Sequence, residues 1–132
     1  MACVSIRIKT KMKYFEKNIE GLSVFELEGK IMGETPECMS LCNRVKEVIA
    51  SGQKNIVIDF DRVRWINSAG IGFMLSCVTT LRREGGEVHF VGLHDRVDYY
   101  FKITKIDTVL EIYKNVDEVV KKLSLSADIP SS

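Results

Sequence analysis

The feature that most constrains the fold is a short apolar segment, residues 55–60, set between two amphipathic segments. It reads Asn-Ile-Val-Ile-Asp-Phe, a nearly continuous apolar run of the kind that is buried on both faces of a parallel sheet. On either side, over 36–49 and 68–84, apolar residues recur every three or four positions, the spacing of a helix with one buried face. A strand flanked by two such helices predicts strand–helix–strand units with right-handed crossovers. We therefore expect an α/β domain in which 55–60 is the central strand.

The remaining elements complete this sheet and add an N-terminal hairpin. Further strands are predicted over 4–14, 22–31, 87–93 and 109–113, and further helices near His94 and at Val116. The turn residues Asn18-Ile19-Glu20-Gly21 join the first two strands. The predicted fold is a single-domain α/β structure with a mixed, largely parallel five-stranded sheet and four helices.

Cations alternate with apolar residues in the first predicted strand. Arg7, Lys9, Lys11 and Lys13 occupy every second position, which predicts one solvent-exposed face. Lysines on an edge strand discourage pairing between sheet edges, and a docking surface is the alternative interpretation. We expect a protected edge and a monomer.

Local residue types predict where the first helix begins and ends, which side of the second helix is buried, and where the domain ends. Thr35 precedes Pro36, a residue favoured in the first turn of a helix, and Ser51-Gly52 ends that helix. The second helix is expected to bury a stripe made of Ile71, Met74, Leu75, Val78 and Leu81. Small and polar residues follow Leu123, so we expect the domain to span 1–123 and residues 124–132 to form a frayed tail.

Charge and hydropathy argue against several classes of partner. The chain has 132 residues, 45% of them hydrophobic, which suffices for one core without disulfides or metal. The formal net charge of +1 gives no overall attraction to nucleic acid or to an anionic membrane. No apolar run approaches the ~20 residues that span a bilayer, and the start lacks the apolar region of a signal peptide. We expect a cytoplasmic protein whose partner is another protein or a small molecule.

Catalytic and metal-binding signatures are mostly absent from the sequence. Gly70-Ile71-Gly72 opens like a dinucleotide-binding fingerprint, but Leu75 stands where the third glycine belongs. His89 and His94 have no ligand at zinc-site spacing, so a surface or capping role is expected for them. The four cysteines, Cys3, Cys38, Cys42 and Cys77, form no Cys-x-x-Cys pair and are expected to be free thiols. Three of the four fall in predicted helices, where core packing is their expected role. We expect no enzyme activity, no cofactor and no metal.

The chemistry that remains lies where the central strand leads, through a short loop, into the second helix. The first turn of that helix contains Asn67 and Ser68, and its free N–H groups and positive dipole end favour an anion. A phosphoryl group on Ser68 would add a charge of about −1.5 to −2. The alternative is that Asn67 or Ser68 is an ordinary N-cap, and the residues alone leave both interpretations open. A hydrolase nucleophile elbow is a third interpretation, but Ile66 replaces its first glycine and only His94 could serve as the base.

Five short motifs lie in a fixed order between about Leu22 and Leu123. They are Gly29-Lys30-Ile31-Met32-Gly33, Ile58-Asp59-Phe60, Trp65-Ile66-Asn67-Ser68-Ala69-Gly70-Ile71-Gly72, Gly85-Gly86-Glu87 and Ile103-Thr104-Lys105-Ile106 with Val109. Each motif is weak alone, but their order and spacing together are specific. In this combination the chain resembles the STAS domain found in bacterial anti-sigma factor antagonists.

The resemblance implies a regulatory switch rather than an enzyme. In such proteins, a partner that is both an anti-sigma factor and a serine kinase phosphorylates the serine that matches Ser68. The unphosphorylated form binds this partner and frees the sigma factor, and a metal-dependent serine/threonine phosphatase resets the switch. The implied partner-binding residues are Met32, Gly33, Asn67, Ser68, Ala69, Gly70 and Gly72. For Gly70 and Gly72, packing of the helix against the sheet is the alternative role.

The chain departs from the family pattern on both sides of Ser68. Asn67 stands where aspartate is common, and Ala69 stands where a second serine is frequent. Ser68 is therefore the only hydroxyl in this loop, and its phosphorylation stays open. The alternative function is a constitutive STAS interaction module in a signalling scaffold or in a transporter or lipid-trafficking complex. Its binding would not depend on the chemistry of Ser68.

Overall fold

The computed structural model describes residues 12–33, 35–108 and 110–131, without the side chains of residues 96 and 125–131. Strands and helices follow one another in the predicted order. The strands are β1 (Lys13–Ile19), β2 (Leu22–Ile31), β3 (Asn55–Ile66), β4 (Glu87–Val91) and β5 (Glu111–Tyr113). The helices are α1 (Pro36–Ala50), α2 (Ser68–Arg83), α3 (Asp95–Ile103) and α4 (Val116–Ser131), with a 3₁₀ turn at Ile106–Thr108.

The strands form one five-stranded sheet in the order β1-β2-β3-β4-β5. β1 is antiparallel to β2, and the other neighbouring strands are parallel. The hairpin residues Glu20 and Gly21 both have positive φ angles, 52° and 84°, as a two-residue turn that matches the strand twist requires. The predicted fold class is confirmed, including the hairpin and the central position of β3.

The first strand of the hairpin lies further along the chain than the alternation predicts. β1 pairs Lys13 with Glu28 and Ile19 with Leu22. The strand predicted over 4–14, with its row of cations, falls almost wholly outside the described residues. Residues 15–18 are all exposed, so their side chains do not alternate between a buried and an exposed face. They form a strand because their main chain pairs with β2. Lys13 is exposed on this edge strand.

β3 continues through residues 61–66, where the sequence predicts a short loop. It stays paired with β2 as far as Ile31 and Ile66, through register shifts near Glu28 and Gly29. Such irregularities interrupt the strict alternation of inward and outward side chains, which is why the pattern does not indicate a strand there. As a result, α2 begins directly at the end of β3, beside the end of β2.

Three helices cover one face of the sheet, and α4 covers the other. Along β3, Ile58 and Phe60 pack with α1, α2 and α3, whereas Val57 packs with Val119 of α4. Thr35 caps α1 as predicted, since its side chain accepts a hydrogen bond from the N–H of Cys38. The helix that carries Ser68 therefore stands on a packed core.

An aromatic cluster anchors α3 on the same face as α2. The rings of Phe60, Phe90 and Phe101 have centroids 5.4, 5.7 and 6.1 Å apart. All three side chains are fully buried, and each burial contributes about 1.5–3 kcal/mol. This cluster holds β3 and β4 together beneath α3.

α4 runs to Ser131, over residues for which the sequence predicts a frayed tail. Apolar periodicity marks only the packed part of a helix, and main-chain hydrogen bonds can continue the helix without it. The domain boundary at Leu123 stays a prediction.

β5 begins at Glu111, and Val109, the predicted first residue of that strand, lies outside the described residues. Among the described helices, none is long and apolar enough to cross a membrane.

Candidate functional site

Ser68 is the first residue of α2, and Asn67 is the N-cap. Asn67 has an extended backbone, and its Oδ1 accepts a hydrogen bond from the N–H of Gly70 at 2.7 Å. Its carbonyl accepts the N–H of Ile71 at 2.9 Å. Of the two capping candidates, the structure selects Asn67, and its neutral amide accepts the bond without adding charge. The hydroxyl of Ser68 therefore has no capping role.

The Ser68 side chain is open to solvent. Ser68 and Ala69 are exposed, whereas Asn67 is half-buried. Over the part of the chain that the structure describes, the Ser68 hydroxyl has no hydrogen-bond partner. The N–H groups of Ser68 and Ala69 have no acceptor within the helix, and they lie at its positive end. Because the first turn holds no acidic residue, a phosphate on Ser68 would meet no repelling carboxylate there.

The loop that follows β2 lies against the start of α2. The Ile31 carbonyl accepts a hydrogen bond from the N–H of Asn67 at 3.4 Å. Gly33 is buried with a φ of +119°, and a Cβ added to it would lie 3.2 Å from the Cβ of Ala69. Gly33 thus supports the start of α2, while the Met32 side chain is 47% exposed. We call the resulting solvent-facing region the Ser68 surface: Met32, Asn67, Ser68, Ala69 and Gly72.

The two glycines of α2 have different roles. A Cβ on Gly70 would lie 2.3 Å from the carbonyl oxygen of Ile31 and 2.9 Å from Cγ1 of Ile66. Gly70 is buried and lets α2 approach the strand ends, which agrees with the alternative role in helix–sheet packing, and its contact with a partner stays a prediction. Gly72 is exposed, and a Cβ there would meet no atom within 4 Å among the described residues. Gly72 is therefore open to the approach of a partner.

An exposed leucine lies in line with Ser68 on α2. Ser68, Gly72 and Leu75 follow spacings of four and three, which places them on one face of the helix. Leu75 is 37% exposed, so its predicted place in the buried stripe is wrong. The buried side includes Phe73 and Cys77, because α2 packs against α1 as well as the sheet. Exposed apolar side chains in line with a free hydroxyl favour protein docking.

The predicted hydrolase base does not reach Ser68. His94 contacts the carbonyl of Asp61 through Nε2 at 2.8 Å and the Asp95 carboxylate through Nδ1 at 3.0 Å. The contact with Asp95 is the main reason why the pKa of His94 lies above its usual value. His94 precedes α3 without a side-chain capping bond. With both ring nitrogens engaged elsewhere, no catalytic pair forms between His94 and Ser68.

A pocket of about 610 Å³ lies beside His94, apart from the Ser68 surface. Acidic and basic side chains both line this pocket, and none of its lining residues belongs to the Ser68 surface. The lining residues are Glu28, Asp61, Arg62, Val63, Arg64, His94, Asp95 and Val97. Over the described ranges, no group of three His, Cys, Asp or Glu side chains could hold a metal ion.

Comparisons of sequence and structure agree with one another. A sequence profile of the STAS domain matches residues 15–119. An anti-sigma-B factor antagonist from Listeria monocytogenes is 28% identical over 117 residues, which cover 86% of this chain and 91% of that protein. The crystal structure of an anti-sigma factor antagonist from Mycobacterium paratuberculosis matches with a TM-score of 0.70 and 19% identity, over 86% of this chain and 94% of that one. The Bacillus cell fate determinant SpoIIAA, in its phosphorylated form, matches with a TM-score of 0.60 and 14% identity, over 83% of this chain and 98% of that one.

Proposed function

Because this chain belongs to the STAS domain family, we propose that it is an anti-sigma factor antagonist controlled by phosphorylation of Ser68. The unphosphorylated Ser68 surface binds an anti-sigma factor that is also a serine kinase, and the sigma factor is released. Transfer of a phosphate to Ser68 separates the two proteins, and a metal-dependent serine/threonine phosphatase reverses the transfer. The cycle takes place in the cytoplasm, where we expect the protein.

The observation that carries this proposal is the exposed hydroxyl of Ser68 at the first position of α2. A kinase can reach it without unfolding, since Asn67 rather than Ser68 forms the cap. Met32 and Leu75, both exposed, supply apolar contact area for a partner. The existence of a phosphorylated form of SpoIIAA supports a covalent switch in a protein of this fold.

Phosphorylation is expected to act at the interface rather than on the fold. The start of a helix accommodates an anion, so the phosphate of about −1.5 to −2 charges leaves the domain folded. In a complex, the same charge would be desolvated without a partner, which costs about 3–5 kcal/mol. Since each 1.4 kcal/mol is a factor of about ten, the affinity should fall by roughly 10² to 10³ or more.

Mass spectrometry after incubation with ATP and extract of the source cells tests the site. We expect one phosphate, located on Ser68, and none in Ser68→Ala. Ser76→Ala is the matched control, because Ser76 is also exposed on α2 and should not affect the modification. A phosphate on any other residue would refute the assignment to Ser68.

Affinity measurements on partner recovered from the extract test the switch. Ser68→Asp should weaken binding by about a hundredfold or more. Ser76→Asp places the same charge roughly 12 Å further along the helix axis and should have a much smaller effect. Equal losses in the two variants would indicate nonspecific repulsion, contrary to the proposal.

The second candidate function is a constitutive interaction module, which the uncharged Asn67 favours because it departs from the family pattern. The wild-type form of such a module and its Ser68→Asp variant would bind the partner with the same affinity. Size-exclusion chromatography of both forms with the same partner separates the two candidates.

A further inference from the structure

Two cysteines on neighbouring helices bring their sulfur atoms into contact. Cys42 of α1 and Cys77 of α2 are free thiols whose Sγ atoms lie 2.7 Å apart, with Cys77 donating to Cys42. A disulfide bond measures about 2.05 Å, so bond formation needs a sulfur displacement of less than about 1 Å. We propose that Cys42 and Cys77 form a peroxide-sensitive site, in which oxidation links α1 to α2 through a reversible disulfide. The proposal does not depend on the proposed function.

The two thiols differ in access to solvent. Cys42 is half-buried, so a small oxidant can reach it, whereas Cys77 is only 7% exposed. Cys38, which lies one turn before Cys42 on α1, is 1% exposed, and both its main-chain N–H and its thiol are hydrogen-bonded to Thr35 rather than to another thiol. The arrangement assigns Cys42 as the residue that meets the oxidant and Cys77 as the residue that completes the bond.

The charge distribution supports the same assignment. The hydrogen bond from Cys77, together with the positive charge of Lys46, lowers the pKa of Cys42 to about 7 despite its partial burial. The same hydrogen bond and burial raise the pKa of Cys77. Because the thiolate is the nucleophilic form of cysteine, Cys42 reacts first near neutral pH.

The reaction balances with a peroxide as the oxidant. The Cys42 thiolate attacks one peroxide oxygen, an S–O bond forms, the O–O bond breaks, and the departing hydroxide takes up a proton to become water. The Cys77 sulfur then attacks the sulfur of the Cys42 sulfenic acid, an S–S bond forms, and the S–O bond breaks. The second hydroxide leaves with the proton of Cys77 as water. Two thiols and one hydrogen peroxide thus yield one disulfide and two waters.

The site connects the two helices that border the Ser68 surface. The loop that contains Met32 and Gly33 leads into α1, and Ser68 begins α2. Cys42 and Cys77 are 35 positions apart, so a disulfide between them reduces the conformational freedom of the unfolded chain and thereby stabilises the fold. We expect the oxidised form to unfold at a temperature higher by about 10 °C or more.

Peroxide titration followed by peptide mass spectrometry tests the proposal. The experiment uses the full chain with the substitution Cys3→Ser, so that Cys3 cannot form an unrelated cross-link. The protein is treated with hydrogen peroxide, and the remaining free thiols are then alkylated. We expect loss of two reactive thiols and a peptide that joins Cys42 to Cys77, both reversed by dithiothreitol. Cys38→Ala, the matched control, should form the same cross-link at the same rate.

Single variants separate the two steps. Cys77→Ser should stop at a sulfenic acid on Cys42 that reacts with dimedone, and Cys42→Ser should slow oxidation of Cys77 by about tenfold or more. In the wild-type fold, alkylation of Cys42 should have a midpoint near pH 7, well below that of Cys38. Two results on the wild-type protein would overturn the proposal, and neither requires the variants to fold. One is alkylation of Cys42 no faster than that of Cys38, and the other is oxidation of Cys42 to sulfinic acid without formation of the cross-link.

Discussion

Replacement of Gly70 by alanine tests whether the start of α2 rests directly on the ends of β2 and β3. The added Cβ would lie 2.3 Å from the main-chain oxygen of Ile31 and 2.9 Å from Cγ1 of Ile66, closer than the 3.0 Å that real Cβ atoms respect. A carbonyl oxygen within a paired strand cannot rotate away as a side chain can. We therefore expect α2 to lift from the sheet in Gly70→Ala.

The size of the effect follows from two destabilising contributions and one stabilising contribution. Overpacking of this kind costs about 1–3 kcal/mol, and strain on the bond between Asn67 and the N–H of Gly70 adds part of the roughly 1 kcal/mol that a cap contributes. Alanine is a better helix former than glycine by about 1 kcal/mol, which offsets some of this loss. We expect a net destabilisation of about 2 kcal/mol.

Gly72→Ala is the matched control on the same helix. A Cβ there has no described atom within 4 Å, so only the gain in helix propensity of up to about 1 kcal/mol remains. The two variants should therefore shift stability in opposite directions and differ by about 3 kcal/mol. The same control bears on function, because Gly72→Ala should weaken partner binding if a partner approaches the helix at this position.

Urea unfolding, followed by circular dichroism, measures both variants. With a slope of about 1–3 kcal/mol per molar urea, the expected loss moves the midpoint of Gly70→Ala down by roughly 1 M. Equal stability of Gly70→Ala and wild type, with an unchanged slope, would refute the proposed close packing of α2 on Ile31.

Two further substitutions test the core on each face of the sheet. Phe101→Ala removes one ring of the cluster with Phe60 and Phe90 and should cost about 3–5 kcal/mol in urea unfolding; a loss below about 1 kcal/mol would contradict the role of the cluster in anchoring α3. Both ring nitrogens of His89 lack a hydrogen-bond partner among the described residues, and burial lowers the pKa of His89, an effect that the charges of Glu111 and Glu87 oppose. Because the folded-state pKa is below the unfolded value of about 6.5, protonation of His89 should lower the stability of the wild type as the pH falls below that value, and His89→Leu removes this contribution. Thermal unfolding at about pH 8 and about pH 5 should show a stabilising effect of His89→Leu that grows at the lower pH, and a constant difference would contradict this reasoning.

Local chemistry was sufficient to predict the element order and the start of the helix that carries Ser68, whereas the resemblance to the STAS domain supplied Ser68 as the candidate phosphorylation site. The apolar run at 55–60 and the spacing of three and four around it correctly predicted β3 between α1 and α2. The capping residue Thr35 marked the start of α1, and the pair Asn67 and Ser68 marked the start of α2. These features could be predicted because hydrogen-bond capping and side-chain periodicity involve residues within a few positions of one another.

Longer-range features could not be predicted in this way. Residues 61–66 form a strand because β2 lies beside them, and register shifts conceal the pattern. Leu75 is exposed because the contact of α2 with α1 turns the Cys77 side of the helix inward. Neither neighbour can be inferred from the local sequence.

A mixed α/β domain with a serine at the start of its second helix could be predicted from the residue pattern alone, since both features depend on local hydrogen bonding and on the burial of periodic apolar side chains. The folded chain was needed to show that Ser68 is exposed, that Gly33 lies against Ala69, and that Cys42 contacts Cys77. Distance along the chain explains this difference. These contacts join segments about 35 positions apart, and packing between whole helices and strands, rather than any short motif, brings them together.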